Sequence, residues 1–196
     1  RRLARPDSKN ILIVGAGTVG HSLFAAYGAA FPAARFTVWN RSPAGAEAFQ
    51  KAHPEVTIAQ NLAEAENAAD IVTSATMSTD PLIKGDWLRP GQHIDLIGAY
   101  RPDMREADDL ALQRSRIFVD SMDTTLGHIG ELKIPLSTGA IVQKDVVADY
   151  YTLDQFKRDD DAELTLFQNG GGAHLDLMTS RYILAEWLAR GTVSAE

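Results

Sequence analysis

The chain has 196 residues, of which 45% are hydrophobic and 23% are charged, so it can form one α/β domain with an appendage, or two small units. Its formal net charge is −7 and its basic residues cluster only at Arg1, Arg2 and Arg5, which argues against a nucleic-acid partner. With no cysteine, and with five histidines that lack metal-ligand spacing, the composition excludes disulfides and thiolate chemistry and gives no reason to expect a metal site.

Short apolar runs alternate with helical segments from residue 10 to residue 119. We predict strands at Asn10–Val14, Arg35–Trp39, 56–59, Ile71–Ser74, 93–97 and 117–119. Helices are predicted at 19–31, 43–53, 106–114 and Leu62–Ala68, the last with Asn61 as its N-cap. This alternation indicates an α/β fold with a doubly wound parallel sheet of the Rossmann type, and right-handed crossovers favour the strand order 3-2-1-4-5-6.

Beyond Asp120 the alternation weakens, and residues 121–161 mix glycine, proline and short apolar pieces without a clear element. One more strand is predicted at 164–167. The triplet Gly170-Gly171-Gly172 is typical of a hinge and precedes a predicted amphipathic helix at Ala173–Ala189. The side chains that this helix offers for packing are Leu177, Ile183, Leu184 and Trp187.

The strongest functional signal is a glycine-rich turn directly after the first strand, with the sequence Gly15-Ala16-Gly17-Thr18-Val19-Gly20. In the dinucleotide-binding motif the first glycine permits the tight turn, the second lets the backbone approach a pyrophosphate, and the third allows helix and strand to pack closely. The phosphates would lie at the N-terminus of the following helix, where free N–H groups and the helix dipole favour anions. The alternative is a glycine turn in an α/β protein that binds no nucleotide.

The end of the second strand indicates which dinucleotide is bound. NAD sites usually place Asp or Glu about 20 residues after the last glycine, where it accepts hydrogen bonds from the ribose 2′-hydroxyl. Here that position is Asn40, followed by Arg41 and Ser42. A guanidinium can bind a 2′-phosphate bidentately, Asn40 and Ser42 offer neutral donors, and no carboxylate stands there to repel the phosphate. We therefore predict NADP(H) rather than NAD(H). The alternative is that Arg41 is a solvated surface residue.

The loop after the fourth strand should lie near the nicotinamide half of the cofactor, because ligands bind beyond the carboxyl ends of parallel strands. We assign Ser74, Ala75 and Thr76 to the cofactor site, although small hydroxylated residues are also ordinary loop formers. Gly98, which ends the fifth strand, and Asn169, which follows the strand at 164–167, complete the predicted site.

Several ordered blocks of the sequence are similar to the ornithine cyclodeaminase/mu-crystallin family. The most distinctive block is Gly98-Ala99-Tyr100-Arg101-Pro102-Asp103-Met104-Arg105-Glu106, and the ordered set is specific although each block alone is modest. The other blocks are residues 3–7, the turn at 15–20, residues 81–83 with Gly85, residues 88–94, Val119-Asp120, Gly130-Glu131, residues 164–167, Gly171 and Asp176. Within this family, Asn40-Arg41-Ser42 resembles the NADPH-using members.

The resemblance implies a second lobe in addition to this chain. Family members begin with a domain that supplies substrate-binding Arg and Lys side chains and much of a dimer interface, and their C-terminal helix returns to pack on it. On that basis residues 1–8 are the end of a linker helix, residues 9–163 the dinucleotide-binding domain, and residues 164–196 the last strand and the returning helix. We expect the complete protein to be a homodimer and the isolated chain to be inactive.

One residue departs from the family pattern. Cyclodeaminases and alanine dehydrogenases of the family carry an Asp near the substrate amine, and Tyr100 stands at that position. A phenol can donate a hydrogen bond but is a poor substitute for a carboxylate, so the resemblance implies a ketimine reductase, with Tyr100 the candidate catalytic residue in this chain. The alternative for Tyr100 is a surface aromatic at the rim of the cleft.

The resulting hypothesis is an NADP(H)-dependent oxidoreductase that acts on the C–N bond of a small amino acid or cyclic imino acid. Three alternatives stay open: a non-catalytic NADPH-binding protein of the mu-crystallin type, an ornithine cyclodeaminase or alanine dehydrogenase, and an enzyme resembling shikimate dehydrogenase or glutamyl-tRNA reductase. No apolar run is long enough to span a bilayer and no signal-peptide pattern opens the sequence, so we expect no membrane partner and a cytoplasmic location.

Overall fold

The computed structural model describes residues 2–190. Eight strands form one sheet in the order β3-β2-β1-β4-β5-β8-β6-β7, and every recorded pair of these strands is parallel. The predicted α/β fold of the Rossmann type is confirmed. The strands are β1 Asn10–Val14, β2 Arg35–Trp39, β3 Thr57–Ile58, β4 Ile71–Ser74, β5 His93–Leu96, β6 Ser115–Val119, β7 Val146–Ala148 and β8 Leu164–Gln168.

The predicted strand order is right for the first five strands and wrong beyond them. Strand β8 inserts between β5 and β6, so that Thr165 pairs with His93 on one side and with Arg116 on the other. Leu166 and Gln168 are 0% exposed, as expected for a strand that is covered on both faces and both edges. Strand β7 lies in the stretch where no element was predicted, and it forms the edge of the sheet.

The helices of the described residues are α1 Thr18–Ala30, α2 Pro43–Ala52, α3 Leu62–Ala68, α4 Asp109–Gln113, α5 Met122–Thr125, α6 Gly130–Thr138 and α7 Ala173–Ala189, with short 3₁₀ helices at Gly85–Trp87, Gln143–Asp145 and Tyr150–Gln155. The predicted N-cap of α3 is confirmed, since the Asn61 side chain accepts hydrogen bonds from the N–H groups of Ala63 and Glu64. The helix predicted at 106–114 begins only at α4, because the Asp108 side chain caps it there. None of the described helices is long and apolar enough to cross a membrane.

Apolar side chains pack on both faces of the sheet. On β1, Leu12 and Val14 join one buried cluster, whereas Ile11 and Ile13 join a second cluster that contains residues of α2. Successive residues of a strand point to opposite faces of the sheet, and here both faces are covered. The sequences of the central strands are therefore continuously apolar instead of alternating. The parallel arrangement brings the carboxyl ends of all these strands to one edge of the sheet, where the predicted site residues follow β1, β2, β4, β5 and β8.

Helix α7 has the predicted bounds but not the predicted amphipathic character. None of its residues is buried, and its large apolar side chains are spread around the helix axis instead of forming one stripe. The exposed side chains are Leu177, Met178, Tyr182, Ile183, Leu184, Trp187 and Leu188. The periodicity of α7 therefore does not mark an inner face, and its large apolar side chains are left exposed in the described residues.

The N-terminal stretch also differs from expectation. Residues 2–9 form bends and turns without a recorded helix, so the described part of the predicted linker helix at 1–8 is not helical. Leu3 is nevertheless buried, and its carbonyl oxygen accepts hydrogen bonds from Arg158 and Thr165. Residues 191–196 of the predicted C-terminal segment lie outside the described residues, and the domain division at 163/164 stays a prediction.

A buried carboxyl group in α3 makes the stability of the fold depend on pH. Glu66 is 0% exposed, its Oε1 accepts a hydrogen bond from the Lys84 N–H at 3.2 Å, and its Oε2 has no hydrogen-bond partner. Burial raises the pKa of Glu66 to about 8. The folded protein therefore keeps a proton on Glu66 at pH values where the unfolded chain has released it.

Because the raised pKa belongs to the folded state alone, the unfolding free energy should fall as the pH rises from about 4.5 to about 8. The substitution Glu66→Gln places a neutral amide there and removes this dependence. The unfolding free energy of the variant minus that of the wild type should be about 1–2 kcal/mol larger at pH 8 than at pH 6. Urea unfolding at the two pH values measures this difference. The same difference at both pH values would contradict this account of Glu66.

Candidate functional site

The loops that follow β1, β2 and β4 enclose a cavity of about 520 Å³. Predicted cofactor residues that line it are Gly15, Ala16, Gly17, Asn40, Arg41, Ser42, Ala75 and Thr76. Four residues outside the predicted cofactor set also line the cavity: Trp39, Met77 (in the loop expected near the nicotinamide), Ser78 and Leu82. Trp39 and Met77 adjoin predicted residues in the chain and could have been included on that ground, whereas no local signal marks Leu82.

Two close backbone contacts shape the glycine-rich turn after β1. Gly15 has φ +106°, in the left-handed region, and a Cβ there would lie 2.7 Å from the carbonyl oxygen of Ala75. A Cβ on Gly20 would overlap the carbonyl oxygen of Gly15, which would push α1 away from the turn. Glycine is therefore required at both positions by the turn and by the packing of helix on strand, in agreement with the motif.

The N-terminus of α1 carries no competing side chain. Gly17 is its N-cap and lines the cavity, no side chain caps the helix, and the first turn, which includes Thr18, Val19 and Gly20, contains no acidic residue. A Cβ on Gly17 would meet no atom within 4 Å, so the backbone leaves open space in front of the helix. The free N–H groups and the helix dipole can therefore receive an anionic group such as a pyrophosphate.

Asn40 joins the turn after β1 to the turn after β2. Its Oδ1 accepts a hydrogen bond from the Ala16 N–H at 3.1 Å, and its Nδ2 donates to the Ser42 carbonyl oxygen at 3.0 Å. Both ends of the amide are thus engaged within the protein. Asn40 maintains the spacing of two cavity walls, a task that its position in the sequence did not indicate.

Arg41 is the cation at the rim of the cavity. It is exposed, and its guanidinium donates a hydrogen bond to Ser78 Oγ at 3.1 Å, so it reaches from the turn after β2 to the loop after β4. None of the ion pairs recorded within residues 2–190 gives Arg41 a carboxylate partner. A guanidinium without an acidic partner can bind a phosphate monoester through two hydrogen bonds.

The loop after β4 is held from behind by a buried carboxylate. The Ser74 Oγ donates to Glu106 Oε1 at 2.6 Å, and Thr76 donates to the same oxygen from its N–H at 2.7 Å and from its Oγ1 at 2.9 Å. The Gly98 N–H donates to Glu106 Oε2 at 2.6 Å. Ser74 is 0% exposed and does not line the cavity, so the structure places this predicted cofactor residue behind the cavity wall.

A second cavity, of about 250 Å³, lies at the same edge of the sheet between the loops after β5 and β8 and the start of α7. Tyr100 and Asn169 line it, and Tyr100 is 59% exposed. Asn169 is engaged in its own turn, where its Oδ1 accepts a hydrogen bond from the Gly171 N–H at 2.9 Å. Asp176 also lines this cavity and was not among the predicted site residues.

Two other acidic residues near Tyr100 in the sequence are engaged elsewhere. Asp95 Oδ2 accepts hydrogen bonds from the Tyr27 hydroxyl at 2.8 Å and the Thr73 hydroxyl at 3.1 Å, and burial raises the pKa of Asp95. Asp103 pairs with Arg101 at 3.0 Å on the surface. Within residues 2–190, no group of three or more His, Cys, Asp or Glu side chains is arranged to hold a metal ion.

Comparison with known proteins identifies a family and several relatives that match nearly the whole chain. The model of the ornithine cyclodeaminase/mu-crystallin family matches residues 1–191. The chain is 50% identical over 189 residues to a Δ1-pyrroline-2-carboxylate reductase of Paracoccus denitrificans, a match over 92% of this chain and 60% of that protein. It is 30% identical over 189 residues to the ketimine reductase mu-crystallin of Mus musculus, over 95% of this chain and 58% of that protein. The chain thus spans about 60% of the length of these curated relatives.

Solved structures agree with these matches over nearly the whole chain. An archaeal alanine dehydrogenase dimer with bound NAD superposes with a TM-score of 0.88 at 26% identity, covering 97% of this chain and 61% of that one. A Thermococcus litoralis Δ1-pyrroline-2-carboxylate reductase in complex with NADH and L-proline gives a TM-score of 0.84 at 28% identity, again covering 97% of this chain and 61% of that one.

The role of Asn40 can be tested by its removal. Asn40→Ala deletes the hydrogen bond that joins the two turns and the one that orders the turn after β2, so we expect it to weaken NADH and NADPH binding equally, by about 3- to 30-fold. Calorimetric titration of the complete protein would measure both affinities. The matched control is Asn67→Ala, since the Asn67 amide also donates to a carbonyl oxygen, that of Trp87, but away from the cavity. Wild-type affinity in the Asn40 variant would contradict the role assigned to the amide.

Proposed function

The chain belongs to the ornithine cyclodeaminase/mu-crystallin family, and we propose that the complete protein is an NADPH-dependent reductase of a cyclic ketimine carboxylate. The proposed reaction converts Δ1-pyrroline-2-carboxylate, or a close cyclic analogue, into the corresponding cyclic amino acid. The observation that carries the proposal is the cavity formed by the glycine-rich turn, Asn40 and Arg41 at the carboxyl edge of the sheet. The 50% identity to a Δ1-pyrroline-2-carboxylate reductase supports the choice of substrate.

The residues of the cavity fit a dinucleotide with a 2′-phosphate. The uncapped N-terminus of α1 offers N–H groups to a pyrophosphate, and the open space at Gly17 permits the close approach that such a group needs. Arg41 adds a positive charge that no carboxylate in the described residues neutralises by an ion pair. The two solved relatives named above hold NAD or NADH. The preference for NADPH therefore rests on Arg41 and the neutral Asn40.

In this reaction the reduced nicotinamide supplies a hydride to the imine carbon, and one proton must reach the imine nitrogen. The contribution of this chain is orientation. The turn after β1 holds the phosphates, the loops after β4 and β5 limit where the ring can lie, and a fixed geometry of this kind can lower the barrier by several kcal/mol. Tyr100 at the second cavity offers an O–H that can donate a hydrogen bond to a substrate nitrogen or carboxylate.

An imine suits this site better than an amine that must lose ammonia. Cyclodeamination of ornithine needs an anionic group beside the substrate amine to manage its protons, and Tyr100 supplies a neutral phenol instead. Asp95 is engaged by Tyr27 and Thr73, and Asp103 by Arg101. Asp176 does line the cavity of Tyr100, so the preference for an imine rests on Tyr100, which stands where cyclodeaminases of the family carry an Asp. An imine arrives with its nitrogen already unsaturated and needs only the hydride and one proton.

The exposed apolar helix α7 supports a further part of the proposal. Its side chains Tyr182, Ile183 and Trp187 are 66%, 61% and 57% exposed. We propose that the complete protein covers them with a second lobe, as the family resemblance implies, and that it forms a homodimer. A small amino or imino acid would then bind between the lobes, close to Tyr100.

Cofactor preference provides a direct test of the proposal. If Arg41 binds the 2′-phosphate, NADPH should bind about 10- to 150-fold more tightly than NADH, and Arg41→Asp should invert the order because the new carboxylate repels the phosphate. Cofactor fluorescence titration measures both affinities. Arg35→Asp makes the same charge change at the amino end of β2 and should leave the preference unaltered. If the wild type binds NADH as tightly as NADPH, or more tightly, the predicted preference is wrong.

Substrate class requires an activity assay of the complete protein. We expect NADPH oxidation with Δ1-pyrroline-2-carboxylate, and no proline when NAD(P)⁺ is incubated with L-ornithine, because Tyr100 lacks the charge that amine chemistry uses. Loss of general acid–base help of this kind costs about 10²- to 10⁴-fold in rate. Proline formation from ornithine at an enzymatic rate would overturn this account of Tyr100. Absence of activity in both assays would favour a protein that binds NADPH without turnover.

A further inference from the structure

The carboxylate of Glu106 is the meeting point of four hydrogen bonds from the loops at the carboxyl edge of the sheet. Its Oε1 receives the Ser74 hydroxyl and both the N–H and the hydroxyl of Thr76, and its Oε2 receives the Gly98 N–H, all at 2.6–2.9 Å. Glu106 is 0% exposed, so water does not compete for these bonds. One side chain thus ties the loop after β4 to the end of β5.

A second buried glutamate holds Glu106 itself in place. Glu131, in the first turn of α6, accepts hydrogen bonds from the backbone N–H groups of Glu106 at 2.5 Å and Ala107 at 3.0 Å. The Glu106 carbonyl oxygen in turn accepts hydrogen bonds from the N–H groups of Leu82 and Ile83, and Leu82 lines the large cavity. The backbone at residue 106 is therefore anchored on two sides, and its side chain has a defined direction.

The loops that Glu106 ties together are walls of the site. Ala75 and Thr76 line the large cavity, and the carbonyl oxygen of Ala75 lies against Gly15 of the glycine-rich turn. A Cβ on Gly98 would overlap the backbone of Thr76, so the loops after β4 and β5 touch at this point. Any movement of the Glu106 carboxylate would alter the distance between them.

We propose that Glu106 is a positioning residue, whose carboxylate fixes the two loops that bound the nicotinamide half of the cofactor site. The inference rests on the proposed dinucleotide-dependent function. A carboxylate is suited to this task because it has only acceptor sites and all four incoming groups are donors. An amide of the same shape would turn its NH₂ group toward at least one N–H donor, and one loop would have to move away.

The test separates the two halves of the cofactor. Glu106→Gln in the complete protein should weaken NADPH and NADH binding by about tenfold, while the affinity for adenosine 2′,5′-bisphosphate, which occupies only the adenosine half, changes less than about twofold. General damage to the fold would weaken all three ligands alike. Titration calorimetry measures the three dissociation constants on one preparation. Equal weakening of dinucleotide and fragment, or no weakening, would overturn the assignment.

Two further variants keep the result interpretable. Glu66→Gln is the matched control, since Glu66 is also 0% exposed but lies outside both cavities, and the ratio of dinucleotide to fragment affinity should stay at the wild-type value. If Glu106→Gln does not fold, Ser74→Ala removes one donor to Glu106 from a residue that is itself buried, and we expect a smaller change of about threefold with the same selectivity. An unchanged ratio in Ser74→Ala would then count against the proposal.

The outcomes also distinguish this inference from the proposed function. If the wild type binds neither NADPH nor NADH, the proposed function is overturned and the inference with it. If the wild type binds a dinucleotide and Glu106→Gln leaves the ratio of affinities unaltered, the inference alone fails.

Discussion

The structure depends on how the polar backbone groups at the carboxyl edge of a parallel sheet are satisfied. The loops after β4 and β5 touch at Thr76 and Gly98, in a region without room for a Cβ, and their N–H groups point at the same buried carboxylate. A buried N–H without an acceptor costs about 1–3 kcal/mol, so the loops can meet only because Glu106 accepts from both. The glycine-rich turn rests on the loop after β4 through Gly15, which extends the same constraint to the large cavity.

Two carboxyl groups buried close together would repel each other if both were charged. Burial, together with the charge of Glu106, raises the pKa of Glu131 to about 8, so at neutral pH Glu131 holds a proton and the pair carries less charge. Glu106 is surrounded by four donors, whereas Glu131 receives two backbone N–H groups. Glu106 thus receives more hydrogen bonds than Glu131, and they come from the loops after β4 and β5.

The site is divided into two regions with different chemistry. The large cavity combines an uncapped helix N-terminus with Arg41 and suits the anionic parts of a dinucleotide. The smaller cavity combines Tyr100 and Asp176 with apolar side chains and with glycines that precede α7. Arg41 donates a hydrogen bond to Ser78, so this side chain links the turn after β2 to the loop after β4 at the large cavity.

The sequence by itself determined the parts of this protein that depend on neighbouring residues. Apolar β-branched runs, the Asn61 cap and the glycine-rich turn act within a few residues, and the bounds of β1, β2, β4, α3 and α7 agree with prediction. Only the tertiary structure decided the place of β8 between β5 and β6. That place depends on the pairing of β8 with two strands that lie about 50 and 70 residues earlier in the chain. The same holds for Glu106, which looked like the start of a helix and instead accepts hydrogen bonds from Ser74 and Thr76, 32 and 30 residues earlier, and from the Gly98 N–H within its own loop. Hydrogen bonds between residues about 30 positions apart leave no periodic trace in a sequence, so the family resemblance includes Glu106 in its most distinctive block without indicating which groups its side chain binds.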